Sequence, residues 1–222
     1  MTGAGAVFIR ELKLAWSGGG GPALPVGFFA ASASLLPFAV GPDMAKLQIA
    51  GPGVIWICLA LASLLPMERL FQADYEDGTL DAYAGSGVIM EGVAAAKTLA
   101  HWIATGIPLS IIAPVLWIML QGKVELAPFV MAASLVGSAV FFFVGSVGAA
   151  LAAGVRRGGL LIALVTLPLY VPAMIWGSGA LYAAAQAGGD WVQPLSLTGM
   201  VALVAIVASP VAAAMALRTA ID

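Results

Sequence analysis

Apolar residues in this chain run in long unbroken stretches, and the polar residues gather in the gaps between them. Six stretches are long enough to cross a bilayer, which takes about 20 mostly apolar residues. The first covers 23–40 and closes at Gly41-Pro42-Asp43. The second follows Gly51-Pro52-Gly53 and reaches residue 70, with Glu68 and Arg69 at its exit. The third runs over 98–120, closed by Gln121-Gly122-Lys123, and the fourth over 126–153. Arg156-Arg157-Gly158-Gly159 punctuates the turn into the fifth, 160–185. The sixth covers 195–217, with Arg218 at its foot. Backbone groups in hydrocarbon must pair within their own segment, and continuous runs rather than alternating short ones exclude a barrel. The expected fold is therefore all-α: a polytopic membrane protein with six transmembrane helices, forming one transmembrane domain over 1–222.

Ahead of the first span, Phe8, Ile9, Leu12, Ala15 and Trp16 share one face of a helix expected over 4–17, with Arg10 and Lys13 on the other. This pattern suits an interfacial helix lying in the headgroup plane. Gly18 to Gly21 then let the chain bend into the bilayer. Arg10, Glu11 and Lys13 interrupt the place where the apolar core of a cleaved signal peptide should be.

Composition agrees. Of 222 residues, 62% are hydrophobic and 9% charged, against about a quarter charged in soluble domains. The net charge of −2 says little, because the charges sit in connectors. Their distribution says more. With the N-terminus inside, Arg10, Lys13, Arg69, Lys97, Arg156, Arg157 and Arg218 are cytoplasmic, and Lys46 and Lys123 are external. This asymmetry sets the orientation and keeps both termini in the cytoplasm. Lone Cys58 allows no intramolecular disulfide.

The longest cytoplasmic connector, 73–97, is an acidic island: Asp74-Tyr75-Glu76-Asp77-Gly78, then Asp81 and Glu91. Anionic headgroups repel such a segment. Either it is a solvated loop, or it forms a short helix, capped by Asp74, that docks on a soluble partner. Arg69 is an electrostatically attractive partner for it. His101, the only histidine, lies a helical turn beyond Lys97. It is either a haem or metal ligand or, as the favoured reading, a structural group bonding a neighbouring connector, with Trp102 beside it in the aromatic belt. Pro108 and Pro114 in the third span, and Pro168 and Pro172 in the fifth, remove backbone donors at membrane depth, either as passive kinks or along a translocation path. Ser138, Gly145, Gly148, Ala149 and Ala152 permit close helix contact, within the bundle or across a dimer. No phosphate-binding G-x-x-x-x-G-K-[ST] loop, catalytic triad set or H-E-x-x-H occurs, so no catalytic residue and no resident metal is expected.

Several segments, in order along the chain, closely resemble the haem exporter protein B (CcmB) family of bacterial cytochrome c maturation. They are Phe38-Ala39-Val40-Gly41-Pro42-Asp43, Pro52-Gly53-Val54-Ile55-Trp56, Arg69-Leu70-Phe71 with Asp74-Tyr75-Glu76-Asp77-Gly78, Ala100-His101-Trp102 with Thr105-Gly106-Ile107-Pro108-Leu109, and Arg156-Arg157-Gly158-Gly159 with Leu167-Pro168-Leu169-Tyr170-Val171-Pro172. The resemblance implies an ABC-2-type permease subunit of the bacterial inner membrane. It would work with an ATPase subunit, CcmA, beside membrane subunits CcmC and CcmD, and serve haem delivery to the periplasmic chaperone CcmE. By analogy the connector with Arg69, Asp74, Tyr75, Glu76, Asp77 and Gly78 is the coupling element that the ATPase grips. ATP acts only through that partner, and haem is a substrate rather than a bound cofactor. The segment Asp81-Ala82-Tyr83-Ala84-Gly85-Ser86-Gly87 departs from the leucine-rich, proline-ended stretch that the family tends to show, which bears on the shape of the coupling element. Two alternatives stand beside this reading: a permease for another amphipathic substrate, and a non-transporting assembly scaffold.

Overall fold

A computed structural model describes residues 3–17, 21–41, 43–155 and 158–221. Pro42, Arg156, Arg157 and most of the glycine run at 18–20 lie outside the described residues. The described residues form helices and turns only, and six helical stretches are long and apolar enough to cross a membrane.

The N-terminal helix α1 is Gly3–Ser17, and the first span is α2, Ala23–Val40. The second span, α3, is Met44–Leu64, ten residues earlier at its start than the apolar run alone suggests. Asp43 explains the early start, because its side chain accepts hydrogen bonds from the backbone N–H of Ala45 and Lys46 and so caps the helix. Pro52 sits inside α3 rather than before it. This span also ends early, at a turn over Leu65 and Pro66. Glu68 and Arg69 then lie on a separate one-turn helix, α4 (Met67–Leu70). Two more short helices follow, α5 (Gln72–Glu76) and α6 (Thr79–Gly85).

The third span starts at Met90, not near residue 98. It comprises α7 (Met90–His101), a π-helical turn at Trp102–Gly106 and α8 (Ile107–Met119). Lys97 thus belongs to the span helix, and the connector proper is shorter and more helical than 73–97 implies. The fourth, fifth and sixth spans are α9 (Ala127–Leu151), α10 (Gly158–Ala185) and α11 (Val192–Ile221). Helix α10 continues through Pro168 and Pro172.

Helix α9 is the hub, packed against α8, α10, α11 and α3. Lipid removes the usual hydrophobic drive between helices, so close packing at small residues must supply it. The fully buried Trp56 indole lies against both Gly137 and Gly177, where side chains would collide with it. Phe141 meets Trp56 edge-on at 5.9 Å and Tyr170 at 4.7 Å between ring centroids. Tyr170 donates from its hydroxyl to the Phe141 carbonyl at 2.7 Å. A Cβ at Gly145 would come within 2.7 Å of that hydroxyl, and Gly148 faces Thr166 and Ile162. The small residues of the fourth span thus serve contacts inside the bundle.

The charges sort to the two ends. Arg10 meets Asp74, and Arg218 meets Glu91 at 2.8 Å, so α1, the connector and the end of α11 share one end. At the opposite end Gln48 donates to the Gln121 carbonyl at 3.1 Å, and Lys123 to the Ala185 carbonyl at 2.9 Å. An even number of spans follows from this arrangement.

Candidate functional site

The connector end of the bundle holds a buried ionic cluster that three separate elements build. Helix α7 supplies Lys97 and His101, which are four residues apart and share one helical face. Helix α1 supplies Arg10 and Glu11, and α5 supplies Asp74. Small side chains allow this close approach: Val7 of α1 packs on Val93 and Ala96 of α7, and Gly92 lies against Ala4.

Each carboxylate in the cluster is shared. Asp74 accepts from Lys97 Nζ at 2.7 Å through Oδ2 and from both Arg10 Nη atoms at 3.3 Å through Oδ1. Glu11 Oε1 lies 2.9 Å from Lys97 Nζ and 3.2 Å from Arg10 Nη1, while Oε2 lies 3.6 Å from His101 Nε2. Arg10 Nη1 also donates to the Tyr83 hydroxyl of α6 at 3.0 Å. Glu11, Asp74 and Lys97 are each less than 5% exposed. Two cations and two anions leave the four formal charges balanced, as buried ions must be to avoid a large desolvation cost. Burial opposes ionisation of Glu11, but the nearby His101 imidazole and the Lys97 ammonium outweigh it, drawing the carboxyl from 4.5 down to about 2. Burial likewise opposes charge on the Arg10 guanidinium, yet the Asp74 carboxylate keeps its pKa raised.

The expected site residues therefore divide. Asp74 does not cap a helix or face a partner; its carboxylate points inward to Lys97 and Arg10. Asp77 instead closes the turn ahead of α6, its Oδ1 accepting from the Thr79 backbone N–H at 2.9 Å. The Thr79 hydrogen bonds hold the exposed Asp77 carboxyl below its usual range. Gly78, at φ 76°, makes the left-handed turn into α6. Arg69 is exposed and makes no ion pair among the described residues, so Arg10 and Lys97 take the role expected of it. His101 bonds α1 rather than the acidic connector. Trp102 points its indole N–H into the bundle, donating from Nε1 to Ser138 Oγ at 3.0 Å. On α1, Glu11 and Val7 are the residues buried against the protein, while Ile9 and Trp16 are exposed, the side an interfacial helix offers to lipid. A charge with buried partners outranks apolarity in deciding which side faces the protein.

The other side of the connector is open. Glu76, Asp77 and Asp81 are exposed. A cleft of about 220 Å³ opens beside Glu76, lined also by Glu68, Gln72, Gly154, Gly158 and Ile162 among others. Gln72 spans it, accepting from the Gly154 N–H at 3.0 Å and donating to Glu76 at 2.8 Å. The Tyr75 ring packs over Gly154, where an added Cβ would lie 2.7 Å from the ring. The connector is thus seated on the end of the fourth span through Gln72 and Tyr75, and on α1 and α7 through Asp74.

Sequence reasoning missed Glu11 and the burial of Lys97. The signal was present: a lysine four residues before a histidine on a span helix needs a nearby anion. Glu11, in the middle of an otherwise apolar face, was the carboxylate to match.

This arrangement of a rigidly backed acidic connector belongs to a multi-pass membrane protein with recognisable relatives. The family described as CcmB protein matches residues 2–220. The chain is 41% identical over 222 residues to heme exporter protein B of Bradyrhizobium diazoefficiens, covering 100% of both chains. It is 41% identical over 213 residues to heme exporter protein B of Paracoccus denitrificans, covering 96% of this chain and 97% of that one. With heme exporter protein B of Escherichia coli it shares 34% over 180 residues, 81% of this chain and 82% of the other. On its whole length and through six apolar helices, the chain belongs to the CcmB family.

Proposed function

We propose that this chain is the permease subunit of an ABC-2-type transporter for haem export and delivery in cytochrome c maturation. It sits in the bacterial inner membrane with both termini cytoplasmic. The ATPase CcmA grips the exposed acidic side of the connector, CcmC and CcmD complete the membrane assembly, and haem passes on to the chaperone CcmE. The observation that carries the reading is the two-sided connector. Its outer carboxylates Glu76, Asp77 and Asp81 are exposed to a partner, while Asp74 ties its inner side to α1 and α7. A force applied outside is thereby delivered to the spans as rigid-body movement.

Two mechanisms fit this role: haem crosses through this subunit, or ATP hydrolysis releases loaded chaperone from a neighbouring subunit. The approach of His101 Nε2 to Glu11 favours the second, because that nitrogen is then engaged with a carboxylate rather than open to haem iron. Replacing His101 with Ala and measuring copurified haem tests direct ligation; unchanged haem content removes His101 from the haem path.

The test of the main reading is reversal of Glu76, Asp77 and Asp81 to lysine. The variant is expected to insert normally and to lose ATPase copurification and cytochrome c assembly. Retention of both sinks the coupling reading and favours a scaffold. Loss of the ATPase with normal cytochrome c points to a permease for another amphipathic substrate.

A further inference from the structure

The foot of the third span and the π-helical turn above it form a continuous mechanical unit. The wide turn has a local cause. Pro108 lacks an N–H, and in a regular helix its ring would press on the carbonyl four residues earlier. The chain widens instead, and the Ile107 N–H reaches the Trp102 carbonyl, five residues back. Gly106 leaves room for the Trp102 indole, since a Cβ there would lie 2.5 Å from the ring. The indole is clasped to the fourth span: Nε1 donates to Ser138, and Ser110 and Ser138 lie 3.3 Å apart, with Ser110 also donating to the Gly106 carbonyl. Directly below this turn, Lys97 and His101 enter the ionic cluster. Such wide turns are common at functional sites and offer an alternative hydrogen-bond register.

We infer that the third span is a two-part lever: α7, α1 and the connector move as one body, pivoting at Trp102–Gly106 against a fixed clasp on Ser138. The proposal rests on the transmission reading above and adds that α1 travels with the connector. Three buried or half-buried ion contacts join these three elements, while α7 packs on α11, where its foot also carries the exposed pair Arg218–Glu91. Exposed pairs are weak and exchange readily. The clasp above the pivot involves neutral groups buried in the bundle, which hold α9 and the upper half of the span together while the lower half swings.

The test uses the complex with its ATPase in nanodiscs and spin-label distances in a Cys58→Ala background. Labels at Ala6→Cys on α1, Ala82→Cys on α6 and Val124→Cys at the opposite end report the two bodies. Between nucleotide-free and ATP-analogue states, the 82–124 distance should shift by about 2 Å or more, the scale of helix shifts in such transitions. The 6–82 distance should stay fixed. Gly106→Ala should abolish the 82–124 shift; Ser138→Ala, the milder change, should broaden that distribution and leave 6–82 narrow. A 6–82 distance that changes as much as 82–124 overturns the lever and leaves the coupling reading intact. So does an 82–124 shift that survives both substitutions unaltered. A connector that does not move although the ATPase is bound overturns both.

Discussion

Replacing Glu11 with Gln tests whether the ionic cluster holds α1 to the bundle by charge. Glu11 is 4% exposed and faces Lys97 at 2.9 Å, Arg10 at 3.2 Å and His101 at 3.6 Å, with Asp74 completing the group. Its carboxyl falls from 4.5 to about 2 on folding. At about 1.4 kcal/mol per pH unit, ionisation of Glu11 contributes about 3 kcal/mol at neutral pH. The sign follows from linkage. A lowered carboxyl pKa gives stability that is complete above pH 4.5 and is lost as pH falls towards 2. At pH 3 about 1 kcal/mol remains by the same relation. Gln keeps the shape and abolishes the titration. The stability gap between wild type and Glu11→Gln should therefore shrink by about 2 kcal/mol from pH 7 to pH 3. Unfolding free energies from denaturing-detergent titration of both proteins in micelles measure it. A gap that is the same at both pH values refutes the reasoning: α1 would then be held by Val7 and its apolar contacts alone.

Three further outcomes follow from packing. Gly177→Ala drives a methyl group into the Trp56 indole, which Gly137 blocks on its other side; overpacking of this kind costs about 1–3 kcal/mol, visible as a lower unfolding midpoint in micelles. Tyr170→Phe removes from a fully buried ring the hydroxyl that bonds the Phe141 carbonyl, so the same titration should lose about 1 kcal/mol. Arg218→Ala breaks an ion pair whose side chains are 52% and 30% exposed, and its cost should stay below about 1 kcal/mol; a larger loss would show that the end of α11 bears load.

The relation of sequence to structure differs from residue to residue. The first span matches its apolar run at both ends, 23–40, because lipid demands continuous apolarity and Pro22 and Gly41 bound it. The second and third spans begin earlier than their apolar runs. Asp43 caps α3 before its greasy part, and Lys97 is admitted into the third span because anions from elsewhere in the chain neutralise it. Hydropathy scores a lysine by its own cost and has no knowledge of its partner.

Composition and pattern alone determine that the chain is helical, lives in lipid, crosses six times and carries one acidic connector. Each of these depends on single segments meeting a solvent, and a segment's apolarity is written in its own residues. Which carboxylates face inward was decided only by tertiary structure. Asp74 and Asp77 are three residues apart in one acidic run, yet one is buried between Lys97 and Arg10 and the other is left to water. That division depends on where α1 and α7 lie in space, separations of more than 20 residues in the chain that no local pattern encodes. The same holds for Glu11, Trp102 and Trp56, whose roles come from groups brought to them by folding.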